Sequence, residues 1–164
     1  MANSKIVCLD NNITAFALRD DAHPDDVEKA KKARALIAYL DEQGKIILLP
    51  TPVITECLVP VEVHARESVL MVINKFIIGS FDLKASIKCA EMMHAITPVE
   101  KEFKEAKGIT KAEMKFDYMI AAIAIVNGAE CIYSEDEGLR KFCKGHIDVR
   151  GIPDLPEQTN LFGE

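Results

Sequence analysis

Four carboxylates in this 164-residue chain stand where an ionised side chain is costly: Asp10, Glu56, Asp117 and Asp136. Asp10 ends the apolar run Ile6-Val7-Cys8-Leu9. Glu56 lies inside Val53-Ile54-Thr55-Glu56-Cys57-Leu58-Val59, with no Lys or Arg within a helical turn of it. Asp117 opens the apolar stretch 116–126, and Asp136 follows Cys131-Ile132-Tyr133 through Ser134-Glu135. A carboxylate in such surroundings must be paired, hydrogen-bonded or bound to a metal. Taken singly, three have simpler roles: Asp10 as a turn or cap residue, Asp117 as a helix N-terminal acid, and Asp136 as a first-turn acid behind a Ser134/Glu137 capping box. Asn12, two residues after Asp10, has its simplest explanation as a helix cap. All these explanations must hold at once, whereas one acidic site accounts for the set.

The elements that would carry these residues follow from pattern. Short β-branched runs at 5–10, 45–50, 76–81, 129–133 and 147–149 are expected as strands. Residues 24–42, a short segment capped by Thr51, and 61–75, 83–96, 116–126 and 134–142 are expected as helices. Thr97-Pro98-Val99-Glu100 and Thr110-Lys111-Ala112-Glu113 both match the S/T-x-x-E capping box, so at least one helix begins there. Strands alternating with helices predict an α/β fold: a three-layer α/β/α sandwich on a central, mainly parallel sheet of about five strands. Ligands in such sheets bind beyond the carboxyl ends of the strands, where Asp10 and Asp136 fall. One domain is expected over residues 1–150, followed by a loosely packed tail at 151–164 without periodicity.

Composition narrows the function. With 20 Lys+Arg against 26 Asp+Glu, the chain carries −6, which argues against a broad basic footprint on duplex nucleic acid but not against a metal-bridged phosphate ligand. The five cysteines are odd in number and unpaired by motif, as expected of reduced core residues in a cytoplasmic protein. No stretch approaches the roughly 18 apolar residues of a membrane span, and no signal peptide is expected. The absence of a Gly-rich turn after the first strand disfavours a dinucleotide-binding domain. A phosphotransfer receiver is disfavoured because no acidic pair closes that strand and no lysine ends a late one.

In this order the four acids resemble the PIN-domain family of metal-dependent nucleases, VapC-like members included. Leu9-Asp10-Asn11-Asn12-Ile13 is similar to the family's D-x-N opening, and Glu56 falls where its second acid sits. Phe116-Asp117-Tyr118-Met119-Ile120-Ala121-Ala122 resembles its third-acid helix, and Ser134-Glu135-Asp136 its T/S-x-D. The three consecutive acids Glu135, Asp136 and Glu137 leave open which of them acts.

Oxygen ligands without matching His or Cys favour Mg²⁺ or Mn²⁺. His23, His64, His94 and His146 are scattered and expected at the surface or at caps. Asp10 would bridge the metal ions, with Asp117 and Glu56 flanking and Asp136 bound directly or through water. Asn12 and Ser134 would orient these carboxylates. Such a centre activates water for phosphodiester hydrolysis. The resemblance implies an RNA substrate, a small antitoxin protein as partner if the protein is a toxin, and a homodimer. Arg140, Lys141, Lys144 and Arg150 are candidates to hold the RNA backbone, or else form a solvated helix end. The alternative is a degenerate domain that binds RNA or protein without catalysis.

Overall fold

The computed structural model describes residues 5–18 and 23–155. Five strands, β1 (Ile6–Leu9), β2 (Ile46–Pro50), β3 (Ile77–Gly79), β4 (Cys131–Tyr133) and β5 (Asp148–Arg150), form one sheet in the order β3-β2-β1-β4-β5, with every pairing parallel. Parallel neighbours need crossovers, and helices supply them: α1 (Asn11–Leu18), α2 (Val27–Glu42), α3 (Thr51–Leu58), α4 (Arg66–Ile73), α5 (Leu83–His94), α6 (Pro98–Ala106), α7 (Lys111–Val126) and α8 (Glu137–Cys143).

Both sheet faces are covered, and the two-residue period of the strands divides the core in two. Cys8, Leu48 and Ile132 pack with α3, α5, α7 and α8 on one side. Val7, Leu9, Ile47, Leu49, Cys131 and Tyr133 pack with α1, α2 and α4 on the other. This is the three-layer α/β/α sandwich expected from the alternating pattern. All five cysteines are free and buried. No helix among the described residues is long and apolar enough to cross a membrane.

Several expected boundaries move, each for a local reason. Residues 11–18 form α1, an element without a pronounced apolar stripe; the Asp10 carbonyl accepts from Ile13 N and Thr14 N at 3.2 and 3.0 Å and so starts it. Pro24 begins a 3-10 turn capped by His23, and α2 proper starts at Val27. The helix expected over 61–75 is confined to α4, preceded by a 3-10 turn at Val63–Ala65. Both capping boxes exist: Thr97/Glu100 starts α6 and Thr110/Glu113 starts α7. Asp117 is therefore well inside α7 and not at its N-terminus. Beyond β5, residues 151–155 have no regular structure, yet Ile152 and Leu155 pack on the second core, against the expectation of a loose start to the tail. Residues 156–164 lie outside the described residues.

One close approach sets the position of α7 over the sheet. A Cβ on Gly79 at the end of β3 would lie 2.6 Å from Ile123 Cγ2 and 3.0 Å from Leu48 Cδ1, so α7 rests where the glycine lets it. Gly79→Ala is expected to destabilise the protein by about 1–3 kcal/mol through overpacking. An unchanged urea midpoint for this variant would show that the contact does not constrain α7.

Candidate metal centre

The strand order runs outward in both directions from β1, so the topological switch lies between β1 and β4, where a crevice opens at the carboxyl ends. Register does the rest. Leu9 pairs with Tyr133, which puts Asp10 and Ser134 side by side just past the sheet. Asp10 N donates to Tyr133 O at 3.1 Å and continues the ladder by one bond. Ser134 Oγ then donates to Asp10 Oδ2 at 2.7 Å, accepts from Asn12 Nδ2 at 3.2 Å and accepts from Asp136 N at 3.0 Å. One donor and two acceptor sites are all that a hydroxyl has. Ser134 is saturated, and its proton points at Asp10.

Asp10 is buried, with Asn11 N donating to Oδ1 at 2.7 Å. Burial raises its pKa; the bonds from Ser134 and Asn11 act in the opposite direction, and the charge of Asp136 raises it further. Asn12 is not the cap of α1, as its sequence position suggested, but a strut: its Oδ1 also accepts from Glu135 N at 3.3 Å. Ser134 is not a capping-box residue either. Asp136 caps α8 itself, Oδ1 accepting from Leu139 N at 2.7 Å, and this leaves the serine hydroxyl for Asp10.

Asp10, Glu56, Asp117 and Asp136 line one cleft of about 360 Å³. Helix α3 starts directly after β2 and buries Val53 and Cys57, four residues apart, on its inner face. That turns Glu56 to the cleft rim, where it is exposed and not enclosed by its apolar neighbours as the sequence suggested. Cys57 Sγ donates to Asn11 Oδ1 at 3.4 Å and ties α3 to the start of α1. Partial burial and the charge of Asp10 raise the pKa of Glu56. Asp117 reaches the cleft from α7. Burial, then the charges of Asp136, Asp10, Glu56 and Glu113, push its pKa up to about 8.

Among the consecutive acids, Glu135 is turned away: its Oε1 accepts from Ile152 N at 2.7 Å and fastens the chain after β5. Asp136 and Glu137 face the cleft. Pattern alone missed two charged cleft residues, Glu113 and Lys107. Glu113 is in a capping box, and Glu137 and Lys107 form an ion pair at 3.1 Å, with Lys107 just past the end of α6. The basic candidates fare differently. None of Arg140, Lys141, Lys144 and Arg150 lines the cleft. Arg150 is engaged by Asp148 at 2.7 Å and Glu130 at 3.7 Å, and Arg140 Nη2 donates to Ser134 O at 3.4 Å. Lys144 is exposed past α8. The four histidines are exposed, and none lines the cleft.

The donor set suits a hard divalent cation. Six of the lining side chains are carboxylates, and Lys107 is the single basic one. A Cβ on Gly138 would stand 3.0 Å from Asp136 Oδ1 and 3.6 Å from Asp117 Oδ2, so the missing side chain leaves room beside both oxygens. Among the described residues no three such side chains converge closely enough to hold one ion as they stand. Holding a cation would require the other carboxylates to rotate toward this space, with Asp10 already oriented.

No family model matches the sequence, and no curated protein matches it. The fold is similar to that of a chain in the crystal structure of VapBC2 from Rickettsia felis bound to a DNA fragment from their promoter. The identity is 18%, 89% of this chain and 98% of that chain are covered, and the TM-score is 0.58. The likeness supports a PIN-like fold.

The raised pKa of Asp117 has a consequence for stability. The folded state holds a proton that the unfolded chain releases near 3.8, so this contribution is complete below that pH and is lost as pH rises to about 8. Metal-free protein is expected to lose stability over this window, by up to about 1.4 kcal/mol per pH unit. Asp117→Asn is expected to flatten the dependence and to be the more stable protein at pH 8 in EDTA. Parallel urea titrations of the two proteins check this; identical pH profiles would rule out the raised pKa.

Proposed function

We propose that this protein is a Mg²⁺- or Mn²⁺-dependent ribonuclease that hydrolyses RNA phosphodiester bonds. The observation that carries the reading is the convergence of four acids from four separate elements on one cleft at the topological switch point. Asp117 is the most telling of them, because its ionised form has no cation or hydrogen-bond donor among the described residues to compensate it. Asp10, Glu56, Asp117 and Asp136 would hold the metal. When bound, the metal supplies positive charge to the phosphodiester and acidifies water.

The chain's own residues do the positioning. Ser134 and Asn11 fix the Asp10 carboxylate, and Asn12 fixes Ser134. Asp136 is pinned at the head of α8 through one oxygen, which leaves lone pairs for a ligand. Asp117 would hold the ion in its deprotonated form, so binding is expected to tighten as pH rises toward 8. The fold shared with a chain of the VapBC2 complex supports a small protein partner, and the resemblance to VapC-like proteins supports a toxin role in the cytoplasm, with that partner as the antitoxin and a homodimer as the assembly. One domain, with Ile152 and Leu155 packed on its core after β5, carries this activity.

One observation favours a second reading, a non-catalytic domain that binds RNA or protein: the carboxylates do not close on a single ion as they stand. Two measurements separate the readings. Purified protein is expected to cleave RNA in Mg²⁺ or Mn²⁺ and to stop in EDTA. Asp10→Asn and Asp117→Asn are expected to stay folded, to lose at least about 100-fold in rate, and to lose Mn²⁺ binding in calorimetric titration. Cleavage in EDTA, or undiminished cleavage by these variants, would refute the nuclease reading. Absence of Mn²⁺ binding by the wild type would favour the second.

A further inference from the structure

We propose that Phe103, Lys107 and Lys141 form the track along which a single RNA strand enters the cleft. In this arrangement Lys107 and Lys141, whose ammonium groups rest over the Phe103 ring, each swing to a phosphate, and the ring face they uncover is offered to a base. The inference rests on the nuclease reading above and adds the side of the acidic cluster that the strand occupies.

A polyanion approaching six carboxylates needs cations at the point of entry, and the cleft has one, Lys107. Its ammonium group lies 6.0 Å from the Phe103 ring centroid, and that of Lys141 lies 5.7 Å from the same centroid. Phe103 itself lines the cleft and is half-buried. Phe142 braces it in a T-shaped contact with centroids 6.0 Å apart and the planes at 78°. Two cations gathered around one braced aromatic ring, at the edge of a phosphate-hydrolysing site, are the components of a single-strand platform: charge for the backbone and a π-face for the base. A base can reach that face only when it is unpaired, which selects single strands over duplex.

Lys107 is available for this role. Its partner Glu137 is 68% exposed and Lys107 itself 51%, so the 3.1 Å pair is weakly held and a phosphate displaces it at little cost. The arginines nearby are committed elsewhere, Arg150 to Asp148 and Glu130, and Arg140 to the Ser134 carbonyl.

The test is steady-state cleavage of a fluorescent pool of random-sequence single-stranded RNA at saturating Mn²⁺ by the wild type, the double variant Lys107→Gln/Lys141→Gln and the double variant Lys107→Arg/Lys141→Arg. The glutamine pair is expected to raise KM roughly tenfold with kcat unchanged. It is also expected to flatten the slope of log KM against log salt by about 1.4, the value for two phosphate contacts on a single strand. Its Mn²⁺ affinity by calorimetry is expected to match the wild type, and the arginine pair to restore KM and slope. Unchanged KM and slope overturn the track, and so does a fall in kcat at constant KM. If the wild type cleaves no RNA in Mn²⁺, the nuclease reading fails and the track with it. If the wild type cleaves and the glutamine pair is indifferent, the track alone fails.

Discussion

The arrangement depends on a single register: Leu9 of β1 paired with Tyr133 of β4 across the topological switch. That pairing places the residue after each strand in contact and lets the Ser134 hydroxyl orient the Asp10 carboxylate. The hydroxyl has no capacity left once Asn12, Asp136 and Asp10 are served. A slip of one residue would reverse the faces of β4 and remove Ser134 from the site altogether. The buried rows on both sides of the sheet, Cys8 with Ile132 in one core and Leu9 with Tyr133 in the other, make such a slip costly.

The site works against this stability. Burial desolvates the carboxylates directed at this cleft, and their charges add repulsion, so Asp10, Glu56 and Asp117 all have raised pKa values. The scaffold tolerates this because the charged ends sit at the sheet margin while the elements that carry them are held by apolar packing elsewhere. Helix α7 is the clearest case. Ile120 to Ala124 are buried among the sheet, α5 and α8, Ile123 meets the bare Cα of Gly79, and Asp117 is held in place by contacts one to two turns away. Gly138 does the same for α8 by leaving space where Asp136 and Asp117 approach. A divalent ion held by these carboxylates would relieve that repulsion. The net charge of −6 is consistent with that: apart from these four acids, 22 acids face 20 bases.

Much of this was legible in the chain. The strands show as β-branched runs, and the capping boxes at Thr97 and Thr110 mark two helix starts because capping is a local hydrogen-bond pattern. Asp10 and Asp136 could be placed at strand ends by counting. Local reasoning failed where a residue had two partners to choose between. Ser134 and Glu137 match a capping box, yet Asp136 takes the cap and Ser134 serves a residue 124 positions away. Glu56 sits among apolar neighbours in sequence, but helical geometry puts Val53 and Cys57 inside and the carboxylate on the rim. The basic residues after Asp136 are close to it in sequence, but the cleft takes Lys107 in their place, delivered by α6.

By itself the sequence determined the layer architecture, the types of the acids and the elements that carry them, because periodicity, capping and burial preference are properties of short segments. Only the tertiary structure decided which carboxylates share a cleft, which hydroxyl orients which oxygen, and which lysine lines that cleft. Those outcomes depend on strand order and on the close approach of α7 and α8 to the sheet. They are distances between segments far apart in the chain, and no local pattern encodes them.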